Sequence, residues 1–124
     1  MIKFLATTID IDQLIAVGGS TTVRFPFEGN PEEITHIQPG CGCTANCHID
    51  GNSIVAVYTD QDTTSLDPKI YKTHYPSGLV RYKKKITVFT QDKEDLYILN
   101  GMNKEFNPKK SHIELYFEGH VKLQ

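Results

Sequence analysis

HIELYFEGHVKL, residues 112–123, carries the plainest structural signal in this chain. Ile113, Leu115, Phe117, Val121 and Leu123 fall on one side of an extended backbone, and His112, Glu114, Tyr116, Glu118, His120 and Lys122 fall on the other. Successive side chains of a strand point to opposite faces, so the pattern predicts a long strand with one face in a core and one in water. Upstream segments repeat it. STTVRFPFEGN, residues 20–30, sets Val23, Phe25 and Phe27 against Thr22 and Arg24. Pro26 removes a ladder donor there, which suits an edge or a bulge, and EGNP reads as a turn. EEITHIQ is a short strand ending at Pro39-Gly40. SIVAVYTD is apolar on both faces, as a central strand would be. VRYKKKITVFT, residues 80–90, aligns Val80, Tyr82, Ile86 and Val88. With IKFLATTI and EDLYILN added, the count is about seven or eight antiparallel strands, which predicts an all-β sandwich.

The chain has 124 residues, enough for one domain with a core of its own, and no linker or repeat divides residues 1–124. Two connections, residues 60–78 and 100–111, are longer than hairpins need. The formal net charge of −2 gives nothing that draws the whole molecule to nucleic acid. No apolar run approaches a membrane span. The opening MIKFLATTIDIDQ is too short in apolar residues for a signal-peptide core and lacks a small-residue cleavage site, so cytoplasmic synthesis without the usual export is expected.

The order of segments is familiar. A Gly-containing entry after Ala16 leads to VRFPFEGN, then ITHIQPGCGCT, HIDGNSIVAVYTD, GLVRYKKKITVFT and a closing LYFEGHVKL. This resembles the bacterial immunoglobulin-like family of unknown function marked by a Cys-Gly-Cys-Thr signature, here Gly40-Cys41-Gly42-Cys43-Thr44. The resemblance covers most of the chain after residue 16. It implies an immunoglobulin-like β-sandwich without an established catalytic activity. Two departures set this chain apart: it shows no signal peptide, and both long connections look like insertions. A short immunoglobulin-like domain without a leader would suit a bacteriophage particle, in the virion or the host cytoplasm, by fold-level analogy.

All three cysteines, Cys41, Cys43 and Cys47, sit in QPGCGCTANCHIDG with His48 directly after. Three readings compete. Cys41 and Cys43 share one face of an extended backbone, and Cys47 and His48 coming round a turn would complete four ligands for zinc, with His36 as a substitute. Structural zinc sites draw ligands from two separated pairs, and here there is one short loop. A disulfide could join Cys41 to Cys43 through a very small ring, or Cys47 to either; no Lys or Arg lies between Glu33 and Asp60 to lower a thiol pKa. The plainer reading is a strand end and tight turn in which Gly40 and Gly42 give permissive backbone and small thiols fill the space between the sheets.

Elsewhere, Tyr71, His74 and Tyr75 cluster in PKIYKTHYPSG, and tyrosines on a rigid loop suit a protein interface as well as they suit covering the sandwich end. RYKKK invites a phosphate reading, but alternation sends its charges to opposite faces, and lysines protect exposed strands from mispairing. His112 and His120 are too far apart along a strand to share a metal. Asp60, Asp62 and Asp67 do not form a calcium-loop pattern. The expectation is a non-enzymatic domain, free of cofactors, that docks to other proteins of a larger assembly, such as capsid proteins or a second copy of itself. The alternative is a metal- or thiol-redox-linked module built on the CGCTANCH loop.

Overall fold

The computed structural model describes residues 2–67, 69, 73–90 and 112–123, together with the backbone of 97–100 and 103–106. Two sheets pack face to face. One has the order β1 (Lys3–Phe4), β4 (Ser20–Glu28), β7 (Ser53–Thr59), β6 (Thr44–Asp50). The other has the order β2 (Thr8–Asp10), β11 (His112–Lys122), β8 (Leu79–Thr90), β5 (Ile34–Pro39), with β3 (Ile15–Ala16) also against β11. The all-β sandwich expected from the alternation is therefore present. β9 (Tyr97–Asn100) and β10 (Asn103–Phe106) pair with each other as a hairpin.

The long alternating segments become the long strands. β11 and β8 pair antiparallel from His112↔Phe89 to Lys122↔Leu79, and β4 pairs with the central β7 from Ser20↔Thr59 to Pro26↔Ser53. Pro26 thus falls on the last rung, where a missing donor costs least. Two details depart from expectation. IKFLATTI is not one strand but divides between β1 and β2, and β2 and the following β3 run parallel to β11. Ile2 and Phe4 occupy even positions while Ile9 and Ile15 occupy odd ones. A single straight strand could not bury both sets. The chain bends at exposed Leu5, leaves β4, and crosses to the other sheet. Within residues 100–111, expected as loop, Asn103–Phe106 is strand.

Phe25, Ile54 and Tyr58 from one sheet meet Ile86, Val88, Leu115 and Phe117 from the other, all fully buried. Tyr58 and Tyr82 stack with ring centroids 4.4 Å apart, and Phe117 sits edge-on to both at 5.7 and 6.5 Å. Gly119 occupies an inward position of β11 between Phe117 and Val121, opposite Tyr82. The Tyr82 ring fills the room that a side chain there would take.

The buried hydroxyls of Tyr58 and Tyr82 have no hydrogen-bond partner among the described residues. Burial, then the charges of Asp62 and Asp60, hold the Tyr58 phenol far above its ordinary pKa. A buried hydroxyl without a partner costs stability. Tyr58→Phe should therefore keep the stacking and leave stability unchanged or raise it by about 1 kcal/mol in urea unfolding. A loss of more than about 1 kcal/mol would mean that the hydroxyl is hydrogen-bonded after all.

Candidate functional site

The cysteine stretch is the crossover from one sheet to the other, between the end of β5 and the start of β6. The Gly40 N–H donates to the Lys85 carbonyl at 2.8 Å. A Cβ on Gly40 would lie 2.7 Å from that same oxygen, so the close approach requires glycine. Cys41 and Cys43 are joined in a disulfide with Cα atoms 5.3 Å apart. Cys43 is buried in the core and Cys41 is half-buried. The Thr44 hydroxyl lies 3.9 Å from the Cys41 sulfur. Two backbone bonds also hold the turn: the Thr44 N–H donates to the Cys41 carbonyl at 3.3 Å, and the Thr59 N–H to the Cys43 carbonyl at 2.8 Å.

Beyond Thr44 the strand carries a bulge. Ala45 pairs with Val57 and His48 with Val55, so Asn46 and Cys47 together oppose one residue. Asn46 adopts the left-handed backbone the bulge needs, at φ 53°, a conformation asparagine tolerates. His48 Nδ1 is 2.6 Å from the Asn46 carbonyl. A carbonyl can only accept, so Nδ1 carries the proton and donates. Cys47 is half-buried, and burial raises its thiol pKa. It lines a groove of about 350 Å³ between β5 and β6 with Ile34, His36, Ile37 and Ile49.

The four residues considered for zinc are thus divided. Two sulfurs are bonded to each other, Cys47 lies at the bulge facing the groove, and the exposed His48 is tied to backbone. Among the described residues no group of three or more His, Cys, Asp and Glu side chains gathers around a point that could hold a metal ion.

The 60–78 connection is not uniform. Tyr71 lies outside the described residues; His74 is exposed and Tyr75 is half-buried, its carbonyl accepting from the Gly78 N–H at 2.9 Å. The first part of the connection is anchored. Asp60 and Thr63 are 2% and 1% exposed. The Asp60 carboxylate accepts from the Gly18 N–H at 2.9 Å, the Thr63 N–H at 3.2 Å and the Thr63 hydroxyl. Aspartates considered for calcium therefore have a structural use: one ties two loops together, and Asp62 reaches Lys84 at 2.9 Å.

Lys84 is the cation of RYKKK that faces inward, beside Tyr82 and Ile86 in the alternation. Its Nζ lies above the Tyr58 ring, 5.9 Å from the centroid, and its stem is mostly covered. The other cations of the motif lie on the outer face and meet β11. Arg81 bonds Glu118 at 2.6 Å, Lys85 approaches Glu114 at 3.6 Å, and Lys83 lies over the Tyr116 ring at 5.3 Å. The hydrogen bond from Arg81 lowers the Glu118 pKa; the one from Tyr116, then the charge of Lys85, lowers that of Glu114. These cations are taken up by cross-strand partners, the sheet counterpart of helix ion pairs.

The same outer face holds an aromatic row. Phe89 stands between His36 at 5.8 Å and His112 at 6.1 Å, across three adjacent strands. A shallow groove of about 470 Å³ runs beside it, lined by Gln38, Pro39, Lys85, Thr87, Phe89 and His112. The sequence signal for this row is one residue: Phe89 shares the parity of Arg81, Lys83, Lys85 and Thr87, so an aromatic interrupts a polar face. His112 and His120 share that face but stand eight positions apart along β11, as the alternation requires.

What the fold defines is a two-sheet β-sandwich with a disulfide at the crossover and an aromatic row on one outer face. Comparison of the chain with protein-family models, with curated proteins and with solved structures returns no match.

Proposed function

We propose that this chain is an immunoglobulin-like domain that works without catalysis, by docking to other proteins of a larger assembly such as a bacteriophage virion. Strand order supports the immunoglobulin-like assignment. β1, β4, β5, β6, β7, β8 and β11 take, in chain order, the places of strands A to G, with A-B-E-D facing C-F-G. Fold-level analogy alone supports the particle as the setting.

The observation that carries docking is the Phe89 row. On this face Arg81 and Lys85 already meet Glu118 and Glu114 within the sheet and Lys83 lies over the Tyr116 ring, and His36, Phe89 and His112 offer ring area beside a shallow groove. Side chains held on strands lose little entropy on binding, and aromatic anchors dominate protein interfaces. The partner that fits is a protein surface offering an apolar side chain to the groove. His74 and the half-buried Tyr75 precede Leu79 at the opposite end of β8 from Phe89, and would form a separate contact.

Phe89→Ala should reduce incorporation into the purified particle about tenfold, the effect of losing one interface anchor. Its melting temperature should stay within a few degrees of wild type, because the ring is on the outer face. Wild-type incorporation of the folded variant would rule out this face. Absence of the chain from the purified particle would rule out the setting.

A further inference from the structure

We infer that Cys41 and Cys43 form a thiol–disulfide exchange site, with Cys41 as the attacking thiol and Cys43 as the resolving one, for a low-molecular-weight thiol and its disulfide. A disulfide stabilises mainly by closing a loop in the unfolded chain, and the effect shrinks as the loop shortens. This one spans a sequence separation of 2, the smallest loop but one that cysteines can close. As a staple it does little. The turn is also held without it, by the bonds Gly40 N–H to Lys85, Thr44 N–H to Cys41 and Thr59 N–H to Cys43. Opening the disulfide therefore leaves the crossover in place.

The two sulfurs differ in the way an exchange pair needs. Cys41 is half-buried and follows the exposed end of β5, with exposed Gly42 beyond it; a Cβ at Gly42 would meet nothing within 4 Å. An incoming thiol can approach there. Cys43 is 5% exposed and packs in the core, out of reach of a second molecule but bonded to its partner. The Thr44 hydroxyl, 3.9 Å from the Cys41 sulfur, can turn its proton to a thiolate at that position. Cys47 is not part of the pair: it faces the β5–β6 groove, and burial keeps its thiol protonated to higher pH.

The chemistry balances as ordinary exchange. A small thiolate RS⁻ attacks the Cys41 sulfur, the Cys41–Cys43 bond breaks, and its electron pair goes to Cys43, which takes a proton. A mixed disulfide R–S–S–Cys41 remains. A second RS⁻ attacks the R sulfur and releases RSSR and the Cys41 thiolate. Two thiols are oxidised and the protein disulfide is reduced by two electrons. In reverse, the Cys41 thiolate attacks RSSR, RS⁻ leaves, and the Cys43 thiolate displaces the second RS⁻ from Cys41.

The test incubates the full chain in buffers of reduced and oxidised glutathione at set ratios, followed by acid quench, alkylation and peptide mass analysis. The expected result is a reversible two-electron transition confined to Cys41 and Cys43, complete within hours at millimolar glutathione, with an unchanged β-sheet circular-dichroism spectrum in both states. Cys43→Ser should accumulate one glutathionyl group on Cys41, and Cys47→Ser should titrate like wild type. Four results would overturn the inference: a Cys41–Cys43 disulfide that survives excess reduced glutathione in folded protein, a reduced pair that oxidised glutathione does not close, an adduct forming as readily on Cys47, or loss of the sheet spectrum on reduction. The wild-type titration decides the matter even where a variant fails to fold.

Discussion

Asp60→Ala should lower unfolding stability by about 3 kcal/mol, since each buried donor left without an acceptor costs about 1–3 kcal/mol and entering water recovers part of it. The substitution strands the Gly18 N–H, the Thr63 N–H and the Thr63 hydroxyl at a point where Asp60 and Thr63 are almost wholly covered. For a domain whose total stability is of order 5–15 kcal/mol the loss is large, and calorimetry should show the melting temperature falling by roughly 10 °C. The backbone on both sides is tied to the same knot, because the Asp60 N–H donates to the Gly19 carbonyl at 2.9 Å. The pH dependence has a definite sign. Burial alone would raise the carboxyl's pKa, but the hydrogen bonds from Gly18, Thr63 and Asp62 outweigh it and hold the group below its ordinary range. The folded pKa lies below the unfolded value of about 3.9, so the unfolded chain binds the proton more tightly. The contribution is therefore complete above about pH 4 and fades as pH falls through the folded value, and the wild type and Asp60→Ala should converge in acid. A gap that stays constant from neutral pH to well below pH 4 would show that the carboxylate is not the source of the stability.

How much of this was legible in the sequence depends on the length of the pattern. β4, β8 and β11 are long enough for period two to be unmistakable, and Val23, Phe25, Phe27, Leu115 and Phe117 are buried as their parity predicts. The N-terminal division was not legible as such: the apolar parity changes between Phe4 and Ile9, and so short a stretch reads equally well as one ragged strand. Lys84 is at an inward position that no alternation rule assigns to a cation; only the fold brings Asp62 and the Tyr58 ring to meet it. Asp60 looks like any loop aspartate until Gly18, 42 residues away, is placed beside it. For the cysteines the spacing allowed three pairings and a metal set. What selects Cys41–Cys43 is the geometry of the turn, with Asn46 at φ 53° carrying Cys47 away along the bulged strand. Phe89 was legible in principle, as the aromatic on the wrong parity, but its value as a surface depends on His36 and His112 arriving from two other strands.

Gly119→Ala tests the centre of the core, and the sign of its effect is the informative part. In a strand interior alanine ordinarily gains about 0.5–1 kcal/mol over glycine, because glycine loses more backbone freedom on folding. Here the added methyl would collide with the hydroxyl and the ring of Tyr82. The ring has little freedom to yield. It is stacked on Tyr58 at 4.4 Å and crossed edge-on by Phe117, and all three are buried. Overpacking of this kind costs about 1–3 kcal/mol, and with a locked aromatic the upper part of that range is expected. Gly119→Ala should therefore destabilise by about 2 kcal/mol after the backbone gain is subtracted. Tyr82→Leu alone should cost several kcal/mol through lost stacking and the cavity it leaves, about 2–4 in all. In the double variant the methyl no longer meets a ring, so the combined loss should be smaller than the sum by at least about 1 kcal/mol. Urea unfolding of the four proteins closes the cycle. Strict additivity would mean that Gly119 and Tyr82 are not in contact, and a Gly119→Ala variant more stable than wild type would mean that the Tyr82 ring does not lie over that position at all.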